Sequence, residues 1–458
     1  MTSHLSRRIA PGPRGSPLVG VLPQVRKDSL AFFVGAARDY GDVALLDFGI
    51  RQFVLVSNPD GLKHVLHDHA KNYVKEYDVV KPLLGEGLVT SEGDLWKRQR
   101  KLMQPAFHRE RIRAFAQVMA DDTGVLLDRW GKAARDGAPV DVAAEALRLT
   151  QSVIVKTMFS PGGLGGEAEE QRVYDSFGVV LEYFTRLMFT PFRAPAWMPT
   201  PSNRRFQRAI QDLESVVYRL IADRRRADSQ AQGRQADLLS MLVHARDEET
   251  GEQMSDRQIR DEVLTIFLGG HETTASTLAW AWYQLSLHPE VARRLEAEVD
   301  QVLQGRVPAA EDVPKLAYTR MVVDETMRLY PAAWMFARTP LQDDEICGYH
   351  VAAGQRVMIS PYVLHRRADL WPNPEAFDPQ RFAPEQVSPR HRYAYLPFGG
   401  GQRICIGNNF ALMEATLILA MAAQRFRLHL VPGRPVRAQP TSTLRPRPGV
   451  WMAVHPRA

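Results

Sequence analysis

A chain of 458 residues with 45% hydrophobic and 24% charged residues is ordinary for a globular protein and far longer than one small module, so a large packed core is within reach. Two cysteines exclude a disulfide framework and suit a reducing cytosol. Without a Cys/His cluster to accompany them, they also exclude a closed structural zinc site. A net charge of +6 allows an acidic partner, but no Lys/Arg cluster is interleaved with aromatics, which argues against nucleic-acid binding.

From Met1 to Val25 there is no long apolar run. Pro11-Gly12-Pro13-Arg14-Gly15-Ser16-Pro17 reads as a rigid arm and not as a signal peptide. Residues 1–28 are therefore taken as an arm and 29–458 as a single domain. No window approaches the ~20 apolar residues of a membrane span, so the expectation is a soluble, cytoplasmic protein without a membrane anchor.

Val43 to Val56 is rich in β-formers and broken by Gly49, the pattern of a hairpin. Asn58-Pro59 then opens a short helix through His67. Tyr73 to Gly93 is irregular. Trp96 begins a helix that runs past Phe107, and Trp96 and Arg100, four apart, share a face able to hold a carboxylate. The alternative is a surface arginine packed on an indole. Helical patterns cover Ala143–Phe159, Tyr174–Met188 and Arg205–Arg226, with a loop by composition from Ser160 to Gly166. The connector Phe189–Pro199 is apolar, aromatic and proline-broken, which suits a lid or contact surface better than a solvated link.

The longest element opens at Ser255, where Gln258 completes a capping box, and its pattern runs to Leu287 before His288-Pro289. Its middle reads Gly269-Gly270-His271-Glu272-Thr273-Thr274. Two glycines inside a helix cost on the order of 1 kcal/mol each, and a local rule broken at the centre of the longest helix points to function. Missing side chains leave room for something large and flat, and Thr273 can bond back to the Gly269 carbonyl and loosen the turn. A tight helix–helix crossing is the competing explanation of the same glycines.

Val313 to Tyr330 is a further helix in which Glu325 and Arg328 share a face; surface pairs of this kind are common and worth little. Ala333–Arg338 and Gln355–Ile359 read as strands about a turn at Gly348. Pro379-Gln380-Arg381-Phe382 closes a proline-rich segment with an arginine between apolar anchors. Then comes Phe398-Gly399-Gly400-Gly401-Gln402-Arg403-Ile404-Cys405-Ile406-Gly407, followed by an apolar run from Phe410 to Phe426. Glycines let a backbone approach a flat ligand closely. A thiol where a turn feeds a helix, with a cation two residues away, is easily deprotonated, and the thiolate is the metal-binding form. Cys405 is read as a thiolate iron ligand, with a buried structural cysteine as the alternative. Strands and turns complete the chain from Arg427. Helices dominate, the strands come from both ends, and no βαβ alternation is present. The fold class expected is mainly α: a single large helical domain with a small β-rich subdomain.

Together these stretches resemble the cytochrome P-450 family of haem-thiolate monooxygenases over nearly the whole chain. The cysteine loop matches the family pattern F-x-x-G-x-R-x-C-x-G at every fixed position. The order Trp96/Arg100, Gly269–Thr274, Glu325/Arg328, Pro379–Phe382 and Cys405 matches as well. The resemblance implies haem b (iron protoporphyrin IX), with Cys405 as proximal ligand in a loop that includes Phe398 and Gly407. It implies Trp96, Arg100, Arg338 and Arg403 as holders of the propionates, and Gly269 and Gly270 over the haem. Glu272 and Thr273 would be the catalytic acid–alcohol pair that delivers protons to dioxygen, and Glu325, Arg328 and Arg381 a buried structural triad. By family position the pocket would be lined by Phe184, Phe189, Phe267, Leu268, Trp334, Phe336 and Leu444, and aromatics of the lid favour a lipophilic fatty acid, terpenoid or steroid.

The same resemblance implies a hydroxylase that uses O2 and takes electrons from a separate ferredoxin- or flavodoxin-type donor with its reductase, since no flavin or iron–sulfur segment follows the cysteine. The Pro-Gly-Pro arm is similar to the hinge after the anchor of microsomal members, here without an anchor, which suggests a soluble bacterial member. The segment Gly270–Thr274 and Trp96 are closer to fatty-acid-hydroxylating and microsomal-like branches than to the camphor-type branch. The competing readings keep the haem but drop oxygen activation (a peroxygenase, or a non-redox isomerase or dehydratase) or drop catalysis altogether, as in a haem sensor.

Overall fold

In the computed structural model the β-rich run near the N-terminus is the hairpin its alternation predicts: Val43–Asp47 pairs antiparallel with Gln52–Val56, Val43 opposite Val56. The structure describes residues 8–49, 51–77, 79–160, 164–189, 198–229, 237–247 and 249–457. Its contacts separate two units, one built from Met1–Glu76, Arg320–Cys405 and Ala438–Arg445, the other from Tyr77–Thr319, Ile406–Arg437 and Pro446–Ala458.

In the first unit the hairpin grows into a five-stranded sheet. Gln52–Val56 pairs parallel with Arg356–Ile359, which pairs antiparallel with Phe336–Pro340, and Tyr73–Val74 forms the far edge. Successive side chains on a strand point to opposite faces, and both faces are covered. Val43, Val54, Val56, Val357 and Ile359 pack with Leu62 and Leu66 on one side. Ala44, Leu46 and Leu55 pack with Leu30, Phe33 and Trp334 on the other. The proline-rich arm is pinned to this sheet, Leu45 N–H donating to the Pro11 carbonyl over 2.8 Å. A Cβ at Gly12 would stand 1.8 Å from the Leu45 carbonyl oxygen, so only glycine admits that approach.

The helix after Asn58 differs from expectation. Asn58 Oδ1 caps it, accepting from Asp60 and Gly61 N–H at 2.8 and 3.0 Å. The α-turns stop at Lys63, and His64–Asp68 forms a π-turn closed by His69 N–H to the His64 carbonyl over 2.8 Å.

The second unit is helical. Its main helices are Gly93–Met103, Ala116–Asp136, Val142–Phe159, Glu167–Phe189, Pro201–Ser229, Asp256–Gly270, Glu272–Leu287, Pro289–Leu303 and Asn408–Arg425, with a three-stranded sheet of Val140–Asp141, Trp451–Pro456 and Phe426–Leu430. The helix begun before Trp96 stops at Met103 and tightens to a 3₁₀ turn over Gln104–Phe107, because Pro105 has no N–H to donate. The capping box of Ser255 and Gln258 is formed. The single helix expected to Leu287 is instead two, separated at His271. The apolar run after the cysteine is the helix Asn408–Arg425, buried along most of its length. Among the described residues no helix is long and apolar enough to cross a membrane.

Candidate active site

The cysteine loop lies in the first unit and is a tight coil of glycines. Gly399 and Gly401 take φ of 70° and 67°, the left-handed region that side chains disfavour. A Cβ at Gly401 would fall 1.8 Å from the Leu66 carbonyl oxygen, and one at Gly400 would press on Leu396 and Tyr393 at 3.2 Å. The loop closes by Cys405 N–H donating to the Phe398 carbonyl over 3.0 Å. Arg403 ends the intervening 3₁₀ turn, and Gly407 is the residue at the N-cap of the helix Asn408–Arg425. Cys405 is exposed at the end of this coil. A soft sulfur donor presented outward from backbone stripped of Cβ atoms fits a thiolate-ligated haem, which needs a deprotonated sulfur ligand and close approach of a flat macrocycle.

The strand Phe336–Pro340 carries Arg338, whose guanidinium donates to the Ala337 carbonyl over 2.7 Å and lies 5.2 Å over the Phe336 ring. Trp334 donates its indole N–H to the Thr441 carbonyl over 2.9 Å, and Leu444 is fully buried in the cluster that holds Trp334. Phe336 keeps part of its surface.

The pair at Glu325 and Arg328 is not on the surface: both side chains are 0% exposed. Arg328 uses its whole guanidinium. Nε and Nη2 donate to the two Glu325 oxygens at 2.7 and 2.8 Å, and Nη1 and Nη2 donate to the carbonyls of His365, Pro374 and Ala376 at 2.7–2.9 Å. Glu325 also accepts from Asp378 N–H at 2.9 Å and lies 3.4 Å from Arg381 Nε. Burial pushes the Glu325 carboxyl above its ordinary range, and Arg328 pulls against that shift. His365, which the sequence did not single out, joins the same network. It is fully buried, its Nε2 accepts from Leu396 N–H at 2.9 Å, and its Nδ1 donates to the Arg328 carbonyl at 3.1 Å. Burial holds its pKa well below the ordinary imidazole value, so it stays neutral in the tautomer those two bonds require.

In the second unit, Trp96 is buried and Arg100 half-buried on one face of Gly93–Met103. The segment about the helix break divides the two glycines. A Cβ at Gly269 would meet nothing within 4 Å, whereas one at Gly270 would strike Ile154 Cδ1 at 2.8 Å. Gly270 is therefore the helix-crossing glycine, and Gly269 alone faces open space. Side chains donate to carbonyls at the break: Thr273 Oγ1 to Gly269 at 2.7 Å, as its position predicts, and His271 Nδ1 to Phe267 at 2.7 Å. Thr150 Oγ1, from Val142–Phe159, donates to the His271 carbonyl at 2.9 Å. Glu272 is buried, and Thr273 is half-buried.

Thr274, the next residue, lies with Glu414 of the helix Asn408–Arg425, a carboxyl the sequence reading passed over. Glu414 is 0% exposed. Burial drives its pKa well above the ordinary 4.5, with the Thr274 hydroxyl pulling it back. Its signal was present, since it is the one acid in that apolar helix.

Among the pocket residues expected in this unit, Phe267 is stacked on Phe177 at 4.0 Å and 16°. Phe184 is buried against Phe206 at 5.6 Å, and Leu268 is half-buried. The side chains of Met188 and Phe189, and residues 190–197 of the expected lid, lie outside the described residues.

Comparison with known proteins agrees with this geometry. The family model described as Cytochrome P450 matches residues 10–452. The chain is 40% identical over 448 residues to a protein named cyclooctatin synthase from Streptomyces melanosporofaciens, covering 97% of this chain and 94% of that one. It is 33% identical over 435 residues to pentalenene oxygenase of Streptomyces avermitilis, covering 94% of each. The crystal structure of the cytochrome P450DA haem domain superposes with a TM-score of 0.89 at 28% identity, covering 99% of this chain and 98% of that one. A glycine coil presenting Cys405, a helix opened at Gly269 and a family match across almost the whole sequence have one common explanation: this chain belongs to the cytochrome P450 family.

Proposed function

We propose that this P450 monooxygenase inserts one oxygen atom of O2 into a lipophilic substrate of the terpenoid class, with Cys405 ligating haem b and a separate ferredoxin- or flavodoxin-type protein as electron donor. When bound, the thiolate-ligated iron supplies oxygen activation, and electron donation from sulfur favours O–O cleavage. The chain's own part is to supply the thiolate, to hold the carboxylates of the macrocycle with Trp96, Arg100, Arg338 and Arg403, and to move protons. The observation that carries the reading is the opened turn at Gly269. There a hydroxyl, Thr273 Oγ1, sits 2.7 Å from a backbone carbonyl beside a residue without a side chain, next to the buried acid Glu272. Thr273 donates to Gly269 and still has lone pairs to accept a proton, so it can pass one on at Oγ1. Such a relay is needed for dioxygen and superfluous for a peroxygenase, an isomerase or a sensor. The names of the relatives, cyclooctatin and pentalenene, support the terpenoid class over fatty acids and steroids.

Replacing Thr273 by Ala tests the relay. Product formed per O2 consumed is expected to drop several-fold, with peroxide released in its place; unchanged coupling would overturn the reading. Optical titration of the ferric enzyme with cyclic terpene hydrocarbons, fatty acids and steroids ranks the substrate classes, and a spin-state shift with fatty acids alone would displace the terpenoid assignment.

A further inference from the structure

We propose that His64, His69 and Asp344 form a binding site for a divalent transition cation of the zinc class, separate from the haem ligand. The π-turn is what makes the site. At 3.6 residues per turn, positions five apart stand well away from each other around a helix. The widened turn His64–Asp68 instead lays the rings of His64 and His69 together, with centroids 3.9 Å apart and planes tilted by 31°. π-turns are rare and concentrate at functional sites.

Both rings face one carboxylate oxygen. His64 Nε2 is 3.0 Å and His69 Nδ1 3.7 Å from Asp344 Oδ2, and the three ligand atoms lie within 4.8 Å of one another. Bonds of about 2.1 Å at tetrahedral angles place ligand atoms about 3.4 Å apart, a value these two separations bracket. Asp344 is held for the task. Tyr73 O–H donates to Oδ2 at 2.8 Å and Glu345 N–H to Oδ1 at 2.8 Å, the outer support that fixes a metal carboxylate. Two imidazoles and one carboxylate suit Zn²⁺, Co²⁺ or Ni²⁺ over the oxygen-seeking Ca²⁺ and Mg²⁺. To bind a cation through Nε2, neutral His64 must present that nitrogen's lone pair, so its single proton is carried on Nδ1 in the metal-bound form. His69 and His64 retain 52% and 24% of their side-chain exposure, so the cation enters from solvent and water completes its sphere. His67 takes no part, because it turns to Asp68 at 2.9 Å. The turn that would hold the metal is also the turn whose Leu66 carbonyl bears on Gly401. A cation there braces the support of the cysteine loop.

The test uses the haem-loaded enzyme, freed of metal with a chelator and titrated with Zn²⁺ by calorimetry. One equivalent is expected to bind with micromolar affinity and to raise the melting midpoint. His69→Ala, an exposed position that leaves the fold intact, and Asp344→Asn are each expected to weaken binding at least tenfold, and His67→Ala to leave it unchanged. Absence of saturable binding, affinity unaltered by His69→Ala, or an equal loss in His67→Ala would overturn the site and leave incidental surface histidines only.

Discussion

Replacing Arg328 by Met probes the buried network most directly. The guanidinium makes five hydrogen bonds, two to Glu325 and three to the carbonyls of His365, Pro374 and Ala376. Methionine has similar length and none of the donors. Removing one partner of a buried ion pair costs about 3–5 kcal/mol, and each buried carbonyl left without a donor costs about 1–3 kcal/mol more before relaxation. Glu325 softens the loss by taking a proton, since burial already pushes its pKa up. Water entering beside the carbonyls softens it further. A net loss of about 4 kcal/mol is expected, a large share of the 5–15 kcal/mol typical of a folded domain. With m of about 3 kcal/mol/M or more for a chain of this size, the urea midpoint should drop by about 1 M.

The escape by protonation adds a sign. In the variant the folded-state pKa of Glu325 lies further above its unfolded value, so the folded state holds the extra proton and stability falls as pH rises between the two, by up to about 1.4 kcal/mol per pH unit. The variant should therefore lose more at pH 8 than at pH 6. Arg328→Lys keeps the charge but offers three donors for five acceptors, and is expected to recover less than half of the loss. Urea unfolding followed by tryptophan fluorescence, with haem content as a second probe, measures this. A loss under about 1 kcal/mol in Arg328→Met would refute the reasoning, because it would put the network among ordinary surface pairs.

The two glycines at the helix break should separate in the same assay. Gly270→Ala forces a Cβ onto Ile154 at 2.8 Å and should cost about 1–3 kcal/mol, with Ile154→Val restoring part of it. Gly269→Ala meets nothing within 4 Å and should be neutral or gain up to about 1 kcal/mol from helix propensity, while shifting the optical response to ligands. Glu414→Gln removes an acid whose folded pKa lies well above 4.5. The wild-type enzyme should lose stability relative to this variant as pH rises above 4.5, by up to about 1.4 kcal/mol per unit; parallel pH profiles for the two proteins would remove Glu414 as a buried titrating acid.

What could be read from the sequence was what depends on neighbours along the chain. The capping box of Ser255 with Gln258 and the bond from Thr273 to Gly269 each close within four residues, so residue types and spacing suffice. Glu325 and Arg328 were visible as an i, i+3 pair, but nothing local says that both are buried. Their burial comes from carbonyls in the loop His365–Ala376, some forty residues on. The division of labour between Gly269 and Gly270 was illegible for the same reason, since it is decided by Ile154 on another helix. The π-turn after Lys63 has no sequence signal, because a histidine-rich stretch fits an α-turn equally well and the third member of the cluster, Asp344, comes from a distant hairpin. Glu414 is the exception, a lone acid in an apolar helix that burial arithmetic alone should have marked.

Side-chain hydrogen bonds at the helix break suggest why the segment holds its shape. Around the interruption at His271 side chains bind backbone carbonyls, and buried backbone polar groups are costly to leave unpaired. Thr273 and His271 donate to the carbonyls of Gly269 and Phe267, and Thr150 adds a second donor to the His271 carbonyl, which Ala275 N–H also reaches. Two of the side-chain donors belong to the segment itself, and the third comes from the helix against which Gly270 packs. The opening at Gly269 is thus fixed by the crossing at Gly270: the glycine that lets Val142–Phe159 approach also brings Thr150 within reach of the His271 carbonyl. Loosening that crossing should blur the opening, so Gly270→Ala is expected to disturb coupling of electrons to product even though Gly270 itself touches Ile154 and not the open side.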